Sequence, residues 1–265
     1  MRHNGLFYQI KGKGYPVIFL PGIGATHRMF APQVKCLSRY FQTITLDLRG
    51  TGQSLPFTVY NPWNYLEKHA ESIIDLMNYL NIEDAILVGV SYGGMVAQTV
   101  ATHHPERVSK LILIDSYART IPHNLNEFLL VLFALGVTLS NLLPSRWLKP
   151  FVKFYAKWEL AYSEMLAVLE ERRAGVVMMQ LIGAIGMDNL KRIGKLDIPI
   201  LGIVGDTVPM VVKMTEEIIE AAPDGQLVVV EDAFDPSNLC NPSEVNKTLL
   251  SFMQDYAMME SQSPS

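Results

Sequence analysis

Short apolar runs that stop abruptly at glycine, proline or aspartate recur along this chain, and helix-patterned stretches separate them. Pro16–Leu20 stops at Pro21-Gly22, Thr43–Leu46 at Asp47, Ala85–Val88 at Gly89 and Leu111–Ile114 at Asp115; Pro199–Val204 and Leu227–Val230 follow later. Brief runs without polar alternation have the profile of strands buried on both faces. Helical periodicity fills 29–40, 62–81, 93–103, 211–222 and 243–256, with Pro62 suited to a first turn. This alternation predicts an α/β fold, a mostly parallel central sheet with helices on both faces. Tyr8–Ile10 reads as an extra early strand.

The rhythm breaks once. From about Ser116 to Leu196 strand signals vanish and helical patterning dominates, interrupted near Pro122, Pro144 and Pro150. The expected organisation is therefore a core of 1–115 and 197–257, an inserted helical cap at 116–196, and a disordered tail at 258–265.

Bulk composition narrows the function. With 265 residues, 49% hydrophobic and 18% charged, the chain buries a sizeable core. A net charge of −4 and the absence of basic runs argue against nucleic acid as a partner. Two cysteines, Cys36 and Cys240, fit a reducing compartment. The scattered histidines have no metal-ligand spacing, so neither metal nor cofactor is expected. The first residues, Met1–Gly5, lack an apolar signal core, which makes the cytoplasm the expected location. The uncharged stretch Phe128 to Pro144 falls short of the roughly 18–20 apolar residues of a membrane span. A helix over an apolar pocket is the expectation there, with no span.

The chemistry concentrates after two strands. Gly89-Val90-Ser91-Tyr92-Gly93 is a G-x-S-x-G elbow between a valine-rich strand and a helix. Such a turn exposes a serine, and small neighbours let the backbones approach. Leu20-Pro21-Gly22-Ile23-Gly24 follows the earlier strand, where the backbone N–H groups of Ile23 and Tyr92 can converge on a developing oxyanion.

These motifs carry a resemblance. Phe19–Gly24, Asp47–Ser54, Gly89–Gly94 and the Asn241-Pro242 that opens the last helix are similar to the α/β-hydrolase fold of small capped bacterial esterases, lactonases and peptidases. The resemblance implies a Ser–Asp–His triad in that chain order. Ser91 matches the nucleophile. The acid position falls on Val208, two residues after Asp206, and the histidine position falls on Asp235, after Phe234. Both supporting positions depart from the family. Asp115 is an alternative acid position in some relatives, but without a histidine to orient it has no obvious partner. The remaining histidines read as surface residues or helix-end cations, with His27 approaching the pocket rim and His123 at the start of the cap.

An aspartate of ordinary pKa, ~4, is a poor base for serine at neutral pH. Val208 and Phe234, with Phe128 and Leu132 from the cap, make the expected pocket apolar, and desolvation raises a carboxylate's basicity. Three readings stay open. One is a hydrolase acting through Ser91 and the Ile23/Tyr92 oxyanion hole on a small apolar ester-, lactone- or amide-like substrate. Another is proton abstraction by Asp235, in a lyase, isomerase or Kemp-eliminase-like site of natural or engineered origin. The third is an inactive receptor for a small apolar ligand.

Overall fold

A computed structural model describes residues 1–58, 61–125, 128–129, 132, 136, 140 and 143–256. Among these residues eight strands form one sheet: β1 Arg2–His3, β2 Leu6–Lys11, β3 Pro16–Leu20, β4 Gln42–Leu46, β5 Ala85–Val90, β6 Val108–Ile114, β7 Ile200–Gly205 and β8 Gly225–Val230. Their order is β1-β2-β4-β3-β5-β6-β7-β8. β1 and β2 are antiparallel to their neighbours, and every pairing from β4 to β8 is parallel. The parallel sheet expected from uninterrupted apolar runs is thus the observed one. β5 is buried along its whole length, as a two-sided strand requires.

Among the described residues the helices are α1 Ala31–Leu37, α2 Tyr65–Tyr79, α3 Tyr92–His103, α4 Ser145–Val152, α5 Glu159–Glu171, α6 Ala174–Ala184, α7 Leu190–Ile193, α8 Pro209–Ala221, α9 Ser237–Cys240 and α10 Pro242–Phe252. Two hydrophobic cores lie among them. One gathers Ile18, Leu20, Ile73, Leu87, Val96 and Leu113; the other gathers Phe19, Phe30, Val88, Ile112, Ile203 and Leu249. Adjacent residues Ile18 and Phe19 fall in different cores because strand side chains alternate between faces. Pro62 opens a short 3-10 turn before α2 and Pro242 begins α10, where Asn241 accepts the Glu244 N–H at 3.2 Å.

Helices α4 to α7 all lie between β6 and β7. The chain enters and leaves this insertion through a narrow neck. Thr120 N donates to Met187 O and Asn189 N donates to Ala118 O, both at 2.9 Å, flanking an antiparallel bridge between Arg119 and Asp188. Inside the insertion, α6 turns Val176, Val177, Gln180 and Ala184 inward. Much of the apolar stretch 128–144, and the tail at 258–265, lie outside the described residues. Among the described residues no helix is long and apolar enough to cross a membrane.

Candidate active site

Strand order reverses at β3, which sits between β4 and β5. In open parallel sheets the crevice beyond the strand C-termini at such a reversal is where ligands bind. Leu20 pairs with Gly89, so the loops leaving β3 and β5 emerge side by side. A Cβ on Gly22 would stand 3.7 Å from the Ser91 Cβ, which puts the loop carrying Ile23 against the serine.

Ser91 joins β5 to α3 with φ 50° and ψ −117°. This strained backbone is tolerated only where the surroundings over-determine it. Ser91 N donates to Ile114 O at 2.8 Å, and Ser91 O accepts from Gly94 N at 2.9 Å and from the Ser116 hydroxyl at 3.0 Å. Close packing adds a steric lock: a Cβ on Gly93 would lie 2.0 Å from Leu20 O. The elbow therefore fixes the serine against both neighbouring strands. Tyr92 follows as the first residue of α3, so its N–H belongs to the unsatisfied N-terminal turn that favours negative charge. Ile23 is half-buried in a turn closed by Ala25 N to Gly22 O at 3.1 Å. The next residue, Gly24, donates its N–H to Gln180 Oε1 at 3.1 Å, tying this loop to α6.

Asp235 reaches the same place from the loop after β8, its carboxyl close enough to the Ser91 hydroxyl to feel it electrostatically. Tyr155 braces the loop by donating to Asp235 O at 2.8 Å. Phe234 is half-buried, its ring 5.0 Å from Phe154 and 5.6 Å from Tyr155. Burial pushes the Asp235 carboxyl well above the usual carboxylate range; the nearby Asp115 charge adds to the rise and the Ser91 hydroxyl opposes it.

Asp115 does have partners, contrary to the expectation from sequence. It is buried at the end of β6 with φ 49°. Its carboxylate accepts Gly205 N at 3.0 Å and Ser237 N at 2.6 Å. It thereby ties the end of β7 to the segment immediately after Asp235. Burial raises its pKa too, but these backbone donors pull it back. The shared negative charge accordingly rests on Asp115, and Asp235 holds its proton to higher pH. Aspartate at a strand's C-terminal end was a visible signal; backbone donors remote in sequence were not. Gln180 and Tyr155 gave no sequence signal at all.

The other expected pocket residues are placed as follows. Val208 is half-buried and precedes α8, while Asp206 is exposed and accepts Ala233 N at 3.3 Å. Phe128 and Leu132 are 48% and 46% exposed, open to solvent rather than enclosed. His27 lies beside buried Asp47, with Nδ1 2.7 Å from Oδ1, instead of at the serine. His103 contacts Arg192 at 3.1 Å and His3 contacts Asp75 at 3.0 Å. His69 is fully buried behind Tyr92, their ring centroids 5.8 Å apart.

The α/β-hydrolase fold model matches residues 15–242. The chain belongs to the α/β-hydrolase family. A Caulobacter segnis protein named carbamate hydrolase RutD is 31% identical over 124 residues, covering 45% of this chain and 46% of that protein. The chain thus matches about half the length of that relative. An Azorhizobium caulinodans protein of the same name is 25% identical over 94% of this chain and 96% of its own. A solved hydrolase structure from Pseudomonas aeruginosa superposes with a TM-score of 0.80 at 23% identity, covering 94% of each chain.

Proposed function

We propose that this α/β-hydrolase-family protein cleaves a small apolar ester-, lactone- or amide-like substrate through Ser91, with Asp235 standing in for imidazole. The observation that carries this reading is the convergence on the strained elbow serine, Ser91, of a carboxyl whose proton affinity burial raises. A base works best when its pKa lies near the working pH, and burial beside Asp115 moves Asp235 in that direction. Ionised Asp235 takes the Ser91 proton as Oγ attacks the carbonyl carbon. The Ile23 and Tyr92 N–H groups receive the developing oxyanion. Collapse expels the leaving group with the proton from Asp235, leaving an acyl-serine. Water, deprotonated by Asp235, releases the acid and restores Ser91. The relatives named carbamate hydrolase bring carbamates among the amide-like candidates. Residues 116–196 act as a lid, held to the loop after β3 through Gln180.

A second reading is favoured by the same carboxyl. A desolvated carboxylate of raised pKa is suited to taking a proton from carbon, with Ser91 and the two N–H groups holding the resulting oxyanion.

A fluorophosphonate probe and p-nitrophenyl esters test the first reading. The expected outcome is one phosphonyl adduct on Ser91, esterase activity that rises with pH, and a loss of about 10²–10⁴-fold in Asp235→Asn. An unlabelled Ser91 with no esterase activity sinks it. If turnover of a base-labile C–H substrate then survives Ser91→Ala but disappears in Asp235→Asn, the second reading replaces it.

A further inference from the structure

The insertion carries a surface that the chemistry at Ser91 does not use. In α4, Trp147 and Phe151 are one turn apart on the same side, and they are 58% and 76% exposed. Phe154, in the turn that follows, is 53% exposed. The opposite side, Leu148, Val152 and Tyr155, is half-buried against the protein, so the aromatic stripe faces outward. Segment 145–157 also contains Arg146, Lys149, Lys153 and Lys157 and no acidic residue, in a chain whose net charge is −4. Lys149 and Lys157 are partly engaged by Glu170 and Asp232, while Arg146 and Lys153 are exposed.

From this we infer that the face formed by α4 and the turn after it docks on an anionic lipid surface. Contiguous exposed aromatics at this density mark an interaction site on a monomer. Adjacent basic side chains select the partner, because a helix lying in the plane of a bilayer buries tryptophan and phenylalanine at the headgroup boundary while lysine and arginine meet anionic headgroups. The stripe is also continuous with the site: Phe154 packs on Phe234, the residue before Asp235. Docking would place an apolar substrate dissolved in the bilayer near the lid, although the inference itself stands independently of the proposed reaction.

Co-sedimentation of the full chain with phosphatidylcholine vesicles, and with mixed phosphatidylcholine–phosphatidylglycerol vesicles, tests this. The expected result is binding to the mixed vesicles only, weakened by salt. Arg146→Glu and Lys153→Glu should each weaken it by about fivefold or more. The double variant Trp147→Ser/Phe151→Ser should abolish it with an unchanged melting temperature, since these side chains are exposed. Equal failure with both vesicle types overturns the inference. So does sedimentation equilibrium showing a dimer that the double variant dissociates, because the face would then belong to a second copy of the chain.

Discussion

At the scale of single residues, the candidate site holds two carboxyl groups that differ in their company. Asp115 has two backbone N–H donors, whereas Asp235 has a serine hydroxyl and a like charge close by. Removing the Asp115 charge should therefore lower the proton affinity of Asp235. In Asp115→Asn the pH–rate profile is expected to keep its rising form while its inflection moves to lower pH; an inflection that stays in place would uncouple the pair. That Ser91 and Asp235 each follow a strand end was legible in the sequence. The role of Asp115 was not, because its donors Gly205 and Ser237 lie 90 and 122 residues away and offer only main chain. Backbone donors leave no trace in residue identity.

At the scale of elements, the elbow is a meeting of backbones. Gly93 fits under Leu20 O because it has no side chain, and Gly89 is similarly enclosed, with an added Cβ only 2.4 Å from Gly93 O. Gly93→Ala should destabilise the protein by about 3 kcal/mol or more, because the obstacle is main chain that cannot rotate away. Thermal or urea unfolding measures this, and near-native stability would mean that β3 and α3 can separate. Strands β3 to β8 were readable from their apolar runs because burial on both faces removes polar alternation. β2 extends to Leu6–Lys11, beyond the expected Tyr8–Ile10, because Leu6 and Phe7 are buried as well. The helix expected at 29–40 is instead a 3-10 turn, His27–Phe30, followed by α1. Thr26 sets that start by accepting the Arg28 N–H at 3.4 Å, and Pro32 sits in the first turn of α1. The insertion was least legible. Leu132 and Phe128 have the composition of a pocket wall yet face solvent, since hydrophobicity alone does not say which side of a helix is covered.

At the scale of the whole molecule, His69 links the core to pH. Burial among Phe57, Tyr65 and Tyr92 depresses its pKa to about 3. The unfolded chain binds the proton near pH 6.5, so between those values unfolding takes up a proton and stability falls as pH falls. The raised carboxyls Asp115 and Asp235 act in the opposite direction over part of that range. Comparing His69→Phe with the parent chain isolates the imidazole. The variant should lose an acid sensitivity on the order of 4 kcal/mol, read from denaturant unfolding between about pH 6.5 and 3. Parallel curves for the two proteins would show that His69 becomes solvated before unfolding. The neck at Ala118–Thr120 and Met187–Asn189 has its own consequence. Whatever is spliced in or cut out beyond that clasp hangs from a closed loop, so the strands beneath need not change partners. Evolution can exchange what lies beyond the neck while the sheet below stays as it is.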